Sequence, residues 1–483
     1  MLPLAQRHAD LPSALWRRQA PSPLRHPRLI DLNTGLLARL GLDDRAWWQG
    51  PEALAMLSAA QGWPGVEPLA MKYGGHQFGG WNPDLGDGRG LLLGDGLAPD
   101  GSAFELHLKG AGPTPFSRMG DGRAVLRSCI REYLAGEALH ALGVPTTRVA
   151  ALAGSDEPVR RERMETAATV LRVAQSHIRF GHFEWLHHSG QTALLGQLAD
   201  HVIARYYPHL SALPQRHSAF FSEVVTATAR LMADWQRTGF AHGVMNTDNF
   251  SIVGETLDFG PYGFLETYDP YHICNHSDHN GRYAWYLQPS VGFWNLNALA
   301  HGLSPLIPVE ALREALSLYE PTLIAHYDAG MNRRLGLDDV VSGDRELVQD
   351  WLALLQAAKA DFNLSFRWLS SHALEQLQEQ VMQRFPAEQE RALAWLARYA
   401  RRVQQAGCTD DLRQQAMKAV NPLYVLRNYL AEIAIKAAEH GDDVPLKRLL
   451  EVVRSPFEER AEWSAYAGEA PAWGRCLEIS CSS

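Results

Sequence analysis

A change of texture near residue 190 constrains this chain more than any other feature. From Tyr73 to about Glu184 the sequence is rich in glycine and short β-like runs. From about Thr192 onward helical periodicity takes over, as in the runs 223–237, 347–360, 374–384 and 423–438. With 483 residues the chain is too long for a single compact core. The pattern predicts an α+β fold with two lobes. An extension over 1–70 precedes a small β-rich lobe over 71–185, and a larger helical lobe with a C-terminal tail fills 186–483. The cleft between two such lobes is the expected ligand site.

Composition excludes several classes. Hydrophobic residues at 46% and charged residues at 20% suit a globular protein rather than a disordered one. The balance of 45 basic against 54 acidic residues, net −9, argues against a bulk nucleic-acid binder. No stretch approaches the roughly 20 apolar residues of a membrane-spanning helix. Five cysteines without a C-x-x-C pair do not form a disulfide scaffold. Met1–Leu29 has no apolar run of signal-peptide length, and Pro21, Pro23 and Pro27 break any presequence helix through its arginines. The expectation is a cytoplasmic, monomeric protein with no nucleic-acid or membrane partner, its N-terminal arm packed on the main body.

The glycine-dense run KYGGHQFGGWNPDLGDGRG, residues 72–90, cannot form a long helix. Gly86, Gly88 and Arg89 close it, and glycine amides with one guanidinium can approach a phosphate, although the same spacing marks ordinary turns. In 104–109, Phe104, Leu106 and Leu108 share one face of a strand, with Glu105, His107 and Lys109 on the other. Alone, that polar row reads as a solvated face; after a glycine loop, Lys109 is placed to reach a nucleotide. A helix follows over 124–142 and carries Glu132, a possible partner for Lys109. Between strand and helix, the loop 110–122 brings Asp121 and Gly122 near a helix N-terminus. Arg172, on a strand over 169–174, and Arg179 lie in apolar surroundings and need partners, either a polyphosphate or internal carboxylates.

The most specific segment is 242–260, in which Asp248-Asn249 is followed by an apolar hairpin and then Asp258-Phe259-Gly260. An amide oxygen and a carboxylate so spaced form the magnesium-holding arrangement of the protein-kinase fold. The order of glycine loop, Lys109, Glu132, Asn249 and Asp258 fits that fold. Against the kinase pattern H-R-D-x-x-x-x-N, however, Val244 stands where the catalytic aspartate belongs. Valine cannot accept a proton, and Asp248 is the nearest carboxylate that can.

These residues carry a family resemblance over nearly the whole chain. The stretches KYGGHQFG, GDGRG, LKGAGPTPFSR, DGRAVLRS, REYL, RVAQSHIRFGHFE, HGVMNTDNFSI, LDFGPYGF and NPLYVLRNYL resemble the selenoprotein O (YdiU) family of protein adenylyltransferases. The resemblance implies a kinase-like fold that binds ATP inverted, so that AMP passes to Ser, Thr or Tyr hydroxyls of proteins. It implies nucleotide contacts from Gly86, Gly88, Arg89, Lys109, Asp121, Gly122, Arg172, Arg179 and Asp258. Asp248 would then be the base, Asn249 and Asp258 the ligands of Mg²⁺ or Mn²⁺, and Glu132 the residue orienting Lys109. The arginines supernumerary for a kinase suit such a role, since inverted phosphates need new cations. The remaining readings are a γ-phosphate kinase using Asp248 and a non-catalytic ATP-binding scaffold.

Some members of this family carry selenocysteine third from the end, where this chain has Cys481. Cys274 follows the Asp-Phe-Gly segment closely, and the resemblance together with the position of the two thiols implies a reversible Cys274–Cys481 disulfide, with Cys476 as a competing partner. A zinc site from His272, Cys274, His276 and His279 is disfavoured, since alternate positions rarely close a tetrahedron.

Overall fold

The computed structural model describes residues 4–475 and 477–479. Its first part is one nine-stranded antiparallel sheet. The strands are β1 (Trp16–Arg18), β2 (Arg28–Leu32), β3 (Leu69–Gln77), β4 (Gly80–Gly86), β5 (Gly90–Leu97), β6 (Ala103–Lys109), β7 (Ala124–Val125), β8 (Arg148–Arg160) and β9 (Met164–Ala174). They are ordered β1-β3-β5-β6-β9-β8-β2, with β4 hairpinned on β3 and β7 on β9. The N-terminal 70 residues thus supply two strands of the sheet.

The alternation in β6 is real, and both of its faces are covered. Leu106 and Leu108, with Leu91, Leu93 and Leu171, pack on Leu36, Leu37, Trp48 and Met56 from the short helices that precede β3. On the opposite face Glu105, His107 and Lys109 are all buried. That row is therefore not a solvated face: Lys109 meets Glu132, Glu105 accepts from His177 and Tyr206, and His107 lies 3.4 Å from Asp87.

The helix expected over 124–142 spans Leu126–Ala141. Ala124 and Val125 pair with Ala168 and Ala167 instead, so the sheet takes the first two residues. The helix lies between β8, β9 and the C-terminal helices Asn428–Glu439 and Val444–Arg454. Buried Glu137 ties it down, accepting from Arg148 at 2.8 Å and Arg454 at 2.7 Å. The run expected to be helical from 423 turns helical only at Asn428. Its first residues form a bend, with the Leu423 and Tyr424 amides on the Pro456 carbonyl.

The larger lobe is helical, and the helix Arg216–Thr238 ends at Gly239, whose φ of +73° a side chain would disfavour. A helix over Phe180–His188 straddles the division expected at residue 185. One apolar core joins Tyr133 of the small lobe to Phe180, Phe220, Trp235 and Leu296, and a second surrounds Trp351, Phe366, Trp395 and Tyr399. The fold is α+β and bilobal. Among the described residues no helix is long and apolar enough to cross a membrane.

Candidate functional site

The β3–β4 hairpin reaches across to the helical lobe and is bolted there by successive residues. The His76 amide donates to Thr247 Oγ1 at 2.7 Å. Gln77 Nε2 donates to Asp248 Oδ2 at 3.3 Å. The Phe78 amide donates to Asn246 Oδ1 at 3.1 Å and to Tyr283 Oη at 3.0 Å. Such close approach depends on Gly75, where an added Cβ would stand 2.7 Å from Asp248 Oδ1.

Beneath the hairpin lies a buried charge network. Lys109 Nζ bonds Glu132, which also receives both Nε and Nη2 of Arg172, the latter at 3.0 Å. Arg172 continues to Asp258 Oδ1 at 2.8 Å, and Arg179 reaches Asp258 Oδ2 and the Asp248 carbonyl, the latter at 2.7 Å. Three cations therefore meet two carboxylates. Burial opposes ionisation of Glu132, but Arg172 and Lys109 outweigh it and hold its pKa at about 2. Asp258 likewise ends well below the usual range, because Arg179, Arg172 and Lys109 overcome its desolvation. Arg172 and Arg179 thus meet internal carboxylates.

Asp248 sits in different surroundings. Only 7% of it is exposed, and Oδ1 has no hydrogen-bond partner. Burial raises its pKa to about 7 against the opposing pull of Arg179 and Gln77. Asn249 Nδ2 donates to the Val244 carbonyl at 2.9 Å, which turns the amide oxygen away from that carbonyl. Asp258 adopts a left-handed φ of +61°, which aims its carboxylate at the arginines. His242 donates from Nε2 to the Leu257 carbonyl at 3.0 Å and stacks on Trp235, so its role here is to brace the Asp258 turn.

One cleft of about 600 Å³ collects nearly all the residues singled out from the sequence. Gly86, Gly88 and Arg89 line it from the end of β4 and the β4–β5 turn, and Asp121 and Gly122 from the β6–β7 loop. Lys109, Arg172 and Arg179 line it together with Asp248, Asn249 and Asp258. Glu132 does not line the cleft but stands behind Lys109. Gly122, with φ +70°, leaves no room for a side chain, since a Cβ would meet the Gly112 carbonyl carbon at 2.1 Å. Cys274 is not among the lining residues. It is buried beside Gly243, with Sγ donating to the Ala241 carbonyl at 3.5 Å. Cys481 and Cys476 lie outside the described residues.

Among the lining residues that the sequence did not single out, two hold site carboxylates. Gln77 lies inside the glycine-dense run, and nothing in its spacing marks it as the neighbour of Asp248. Arg161, at the β8–β9 turn, holds Asp121 through two bonds of 2.7 and 2.9 Å. That pairing is between segments 40 residues apart and leaves no local signal.

A family model described as protein adenylyltransferase SelO matches residues 2–454. The chain belongs to the SelO family. It is 49% identical over 478 residues to a protein nucleotidyltransferase YdiU of Pseudomonas fluorescens, covering 99% of this chain and 98% of the relative. A YdiU of Chromohalobacter salexigens is 49% identical over 479 residues, covering 98% of this chain and 96% of that one. One from Vibrio vulnificus is 48% identical over 485 residues, covering 99% and 98%. As a SelO-family member the protein is an enzyme of the nucleotidyltransferase class.

Proposed function

We infer that the cleft transfers AMP from ATP to Ser, Thr or Tyr hydroxyls of other proteins and releases pyrophosphate. The observation that carries this reading is the floor of the cleft. Lys109, Arg172 and Arg179 converge there and are ion-paired with Glu132 and Asp258. A kinase-type lysine–glutamate pair needs neither arginine, whereas a polyphosphate turned end for end needs both. Arg89 and the close-approaching backbone of Gly86, Gly88 and Gly122 complete the nucleotide contacts in this reading, and Asp121, held by Arg161, bounds the site.

The donor set suits a hard divalent cation. Asn249 offers an amide oxygen turned from its own carbonyl neighbour, and Asp258 a carboxylate with a quarter of its side chain exposed. These two residues would hold Mg²⁺ or Mn²⁺, which when bound neutralises charge on the departing pyrophosphate. Asp248 takes the proton of the acceptor hydroxyl as the oxygen attacks the α-phosphorus in line, and its unpartnered Oδ1 is the atom proposed to receive it. Val244 leaves the usual kinase position without a base. Glu132 fixes Lys109 and Arg172 rather than touching the nucleotide.

The Lys109–Glu132 pair also favours a second reading, a γ-phosphate kinase with Asp248 as base. Product analysis separates the two: pyrophosphate release that rises with added acceptor protein supports AMP transfer, and ADP in its place supports the kinase. A Cys274–Cys481 disulfide is proposed as a redox link to this activity. The support is positional, since the His276 amide bonds the Ile479 carbonyl at 3.2 Å and carries the tail back beside Cys274.

A further inference from the structure

At the tip of the β3–β4 hairpin the cleft opens onto a lip of aromatic side chains around one guanidinium. Phe78 lines the cleft with Asp248 and is nevertheless 45% exposed, its ring 5.1 Å from that of Tyr283. The Arg282 guanidinium sits against Gly79, where a Cβ would stand 3.4 Å from its central carbon. It lies over the Trp294 ring at 4.9 Å and the Tyr283 ring at 5.9 Å. Trp294 is 37% exposed, and Ile273, against Gly281, is 39% exposed.

The polar chemistry of this lip is incomplete. Arg282 makes no ion pair among the described residues, and its Nε is buried without a hydrogen-bond partner. The nearest acidic residue in sequence, Asp278, is consumed by the backbone, accepting from the Arg282 and Tyr283 amides at 3.0 and 2.7 Å. Glu184, beside the neighbouring His76, bonds that histidine through Oε2, while its Oε1 is buried without a hydrogen-bond partner and makes no ion pair with Arg282. A carboxylate from outside would find a planar donor already oriented by two aromatic faces, in company with exposed apolar surface. The surface is continuous with the cleft through Phe78, whose amide is held by the same Asn246 that precedes Thr247 and Asp248.

We propose that this lip is the docking site for the acceptor protein, and that it selects a segment with an acidic side chain beside the acceptor hydroxyl and an apolar side chain close by. The acidic group pairs with Arg282, and the apolar group covers Phe78 and Trp294. The hydroxyl is thereby delivered past the hairpin tip to Asp248. This proposal rests on the AMP-transfer reading for its hydroxyl, although the docking itself can be measured without any transfer.

The test uses full-length protein saturated with Mg²⁺ and an ATP analogue that cannot release pyrophosphate. Fluorescent peptides differ only in having Asp or Lys beside a central Ser-Phe, and binding is read by anisotropy. The Asp peptide should bind roughly tenfold tighter, as expected for one hydrogen-bonded contact to a charged group. Arg282→Glu should reverse the ranking and Arg282→Gln should level it, while Trp294→Leu should weaken both peptides. Retained nucleotide affinity shows that each variant is folded. Equal binding of the two peptides, no binding of either, or an unchanged ranking in Arg282→Glu would overturn the proposal. So would self-association of the wild type that Arg282→Glu abolishes without altering the peptide ranking, since the lip would then be a contact between copies. The same peptides are assayed with α-labelled ATP: a peptide preference without transfer removes the AMP-transfer reading alone, and transfer without preference removes only the docking site.

Discussion

Gly75→Ala is expected to cripple transfer while leaving the nucleotide site intact. An alanine Cβ at this position would stand 2.7 Å from Asp248 Oδ1, 2.9 Å from its Cβ and 3.1 Å from its Cγ. Non-bonded carbons prefer about 3.5–4.0 Å, so the two residues must separate by roughly 0.5–1 Å. Rotating the carboxylate does not suffice, because the Asp248 Cβ is itself in the way. The backbone cannot yield freely either, with Arg179 on the Asp248 carbonyl and the His76 amide on Thr247. Gly75 is not among the glycines with positive φ, so the substitution tests crowding rather than backbone strain. Overpacking of this kind costs about 1–3 kcal/mol. A base displaced by about an ångström loses on the order of 10²-fold in rate. The assay pairs denaturant unfolding with transfer of α-labelled AMP. In an Asp248→Ala background two of the three clashing atoms are gone, and the stability cost of Gly75→Ala should shrink by about 1 kcal/mol. Strict additivity of the two substitutions, or a wild-type transfer rate in Gly75→Ala, would refute the close packing of hairpin on base.

Three further outcomes follow from the same geometry. Asp258→Ala should abolish transfer and remove the metal dependence of ATP binding, measured by calorimetry with and without Mg²⁺, because it deletes the charged oxygen of the donor pair. Glu132→Gln leaves Lys109 without its counter-ion and Arg172 with Asp258 alone, and loss of one member of a buried pair costs about 3–5 kcal/mol in unfolding experiments. The sign with pH follows from the lowered carboxyl: the contribution of Glu132 is fully present above its ordinary value of 4.5 and is lost as pH falls toward about 2. Wild-type stability should therefore decline through that window more steeply than that of the glutamine variant. Peptide mapping of mildly oxidised protein should recover a Cys274–Cys481 cross-link that reductant removes; both thiols remaining alkylatable would exclude it.

Much of the site was legible because its parts are local in sequence. Asp248, Asn249 and Asp258 lie within one short segment, and the order of glycine turn, strand lysine and helix glutamate survives in the linear chain. The alternation in 104–109 correctly placed Lys109 opposite the leucines. It did not reveal that the polar face is buried, since that depends on Glu132, His177 and Tyr206, brought onto it from 23 to 101 residues away. Gln77 was illegible for a similar reason, being brought to Asp248 from 171 residues away by the fold of the hairpin. Boundaries failed where backbone partners competed: Ala124 and Val125 joined β9, and Leu423 and Tyr424 were held by Pro456, where periodicity alone suggested helix.

The most direct test of the account is the fate of the two ends of ATP. Purified protein is incubated with an acceptor protein and ATP labelled separately at the α- and γ-phosphates, with Asp248→Ala as control. The account predicts that α-label becomes covalently attached to the acceptor and γ-label leaves as pyrophosphate. It also predicts that Asp248→Ala still binds ATP but transfers label roughly 10²–10⁴-fold more slowly. Attachment of γ-label in place of α-label, or an Asp248→Ala enzyme with wild-type turnover, would contradict it.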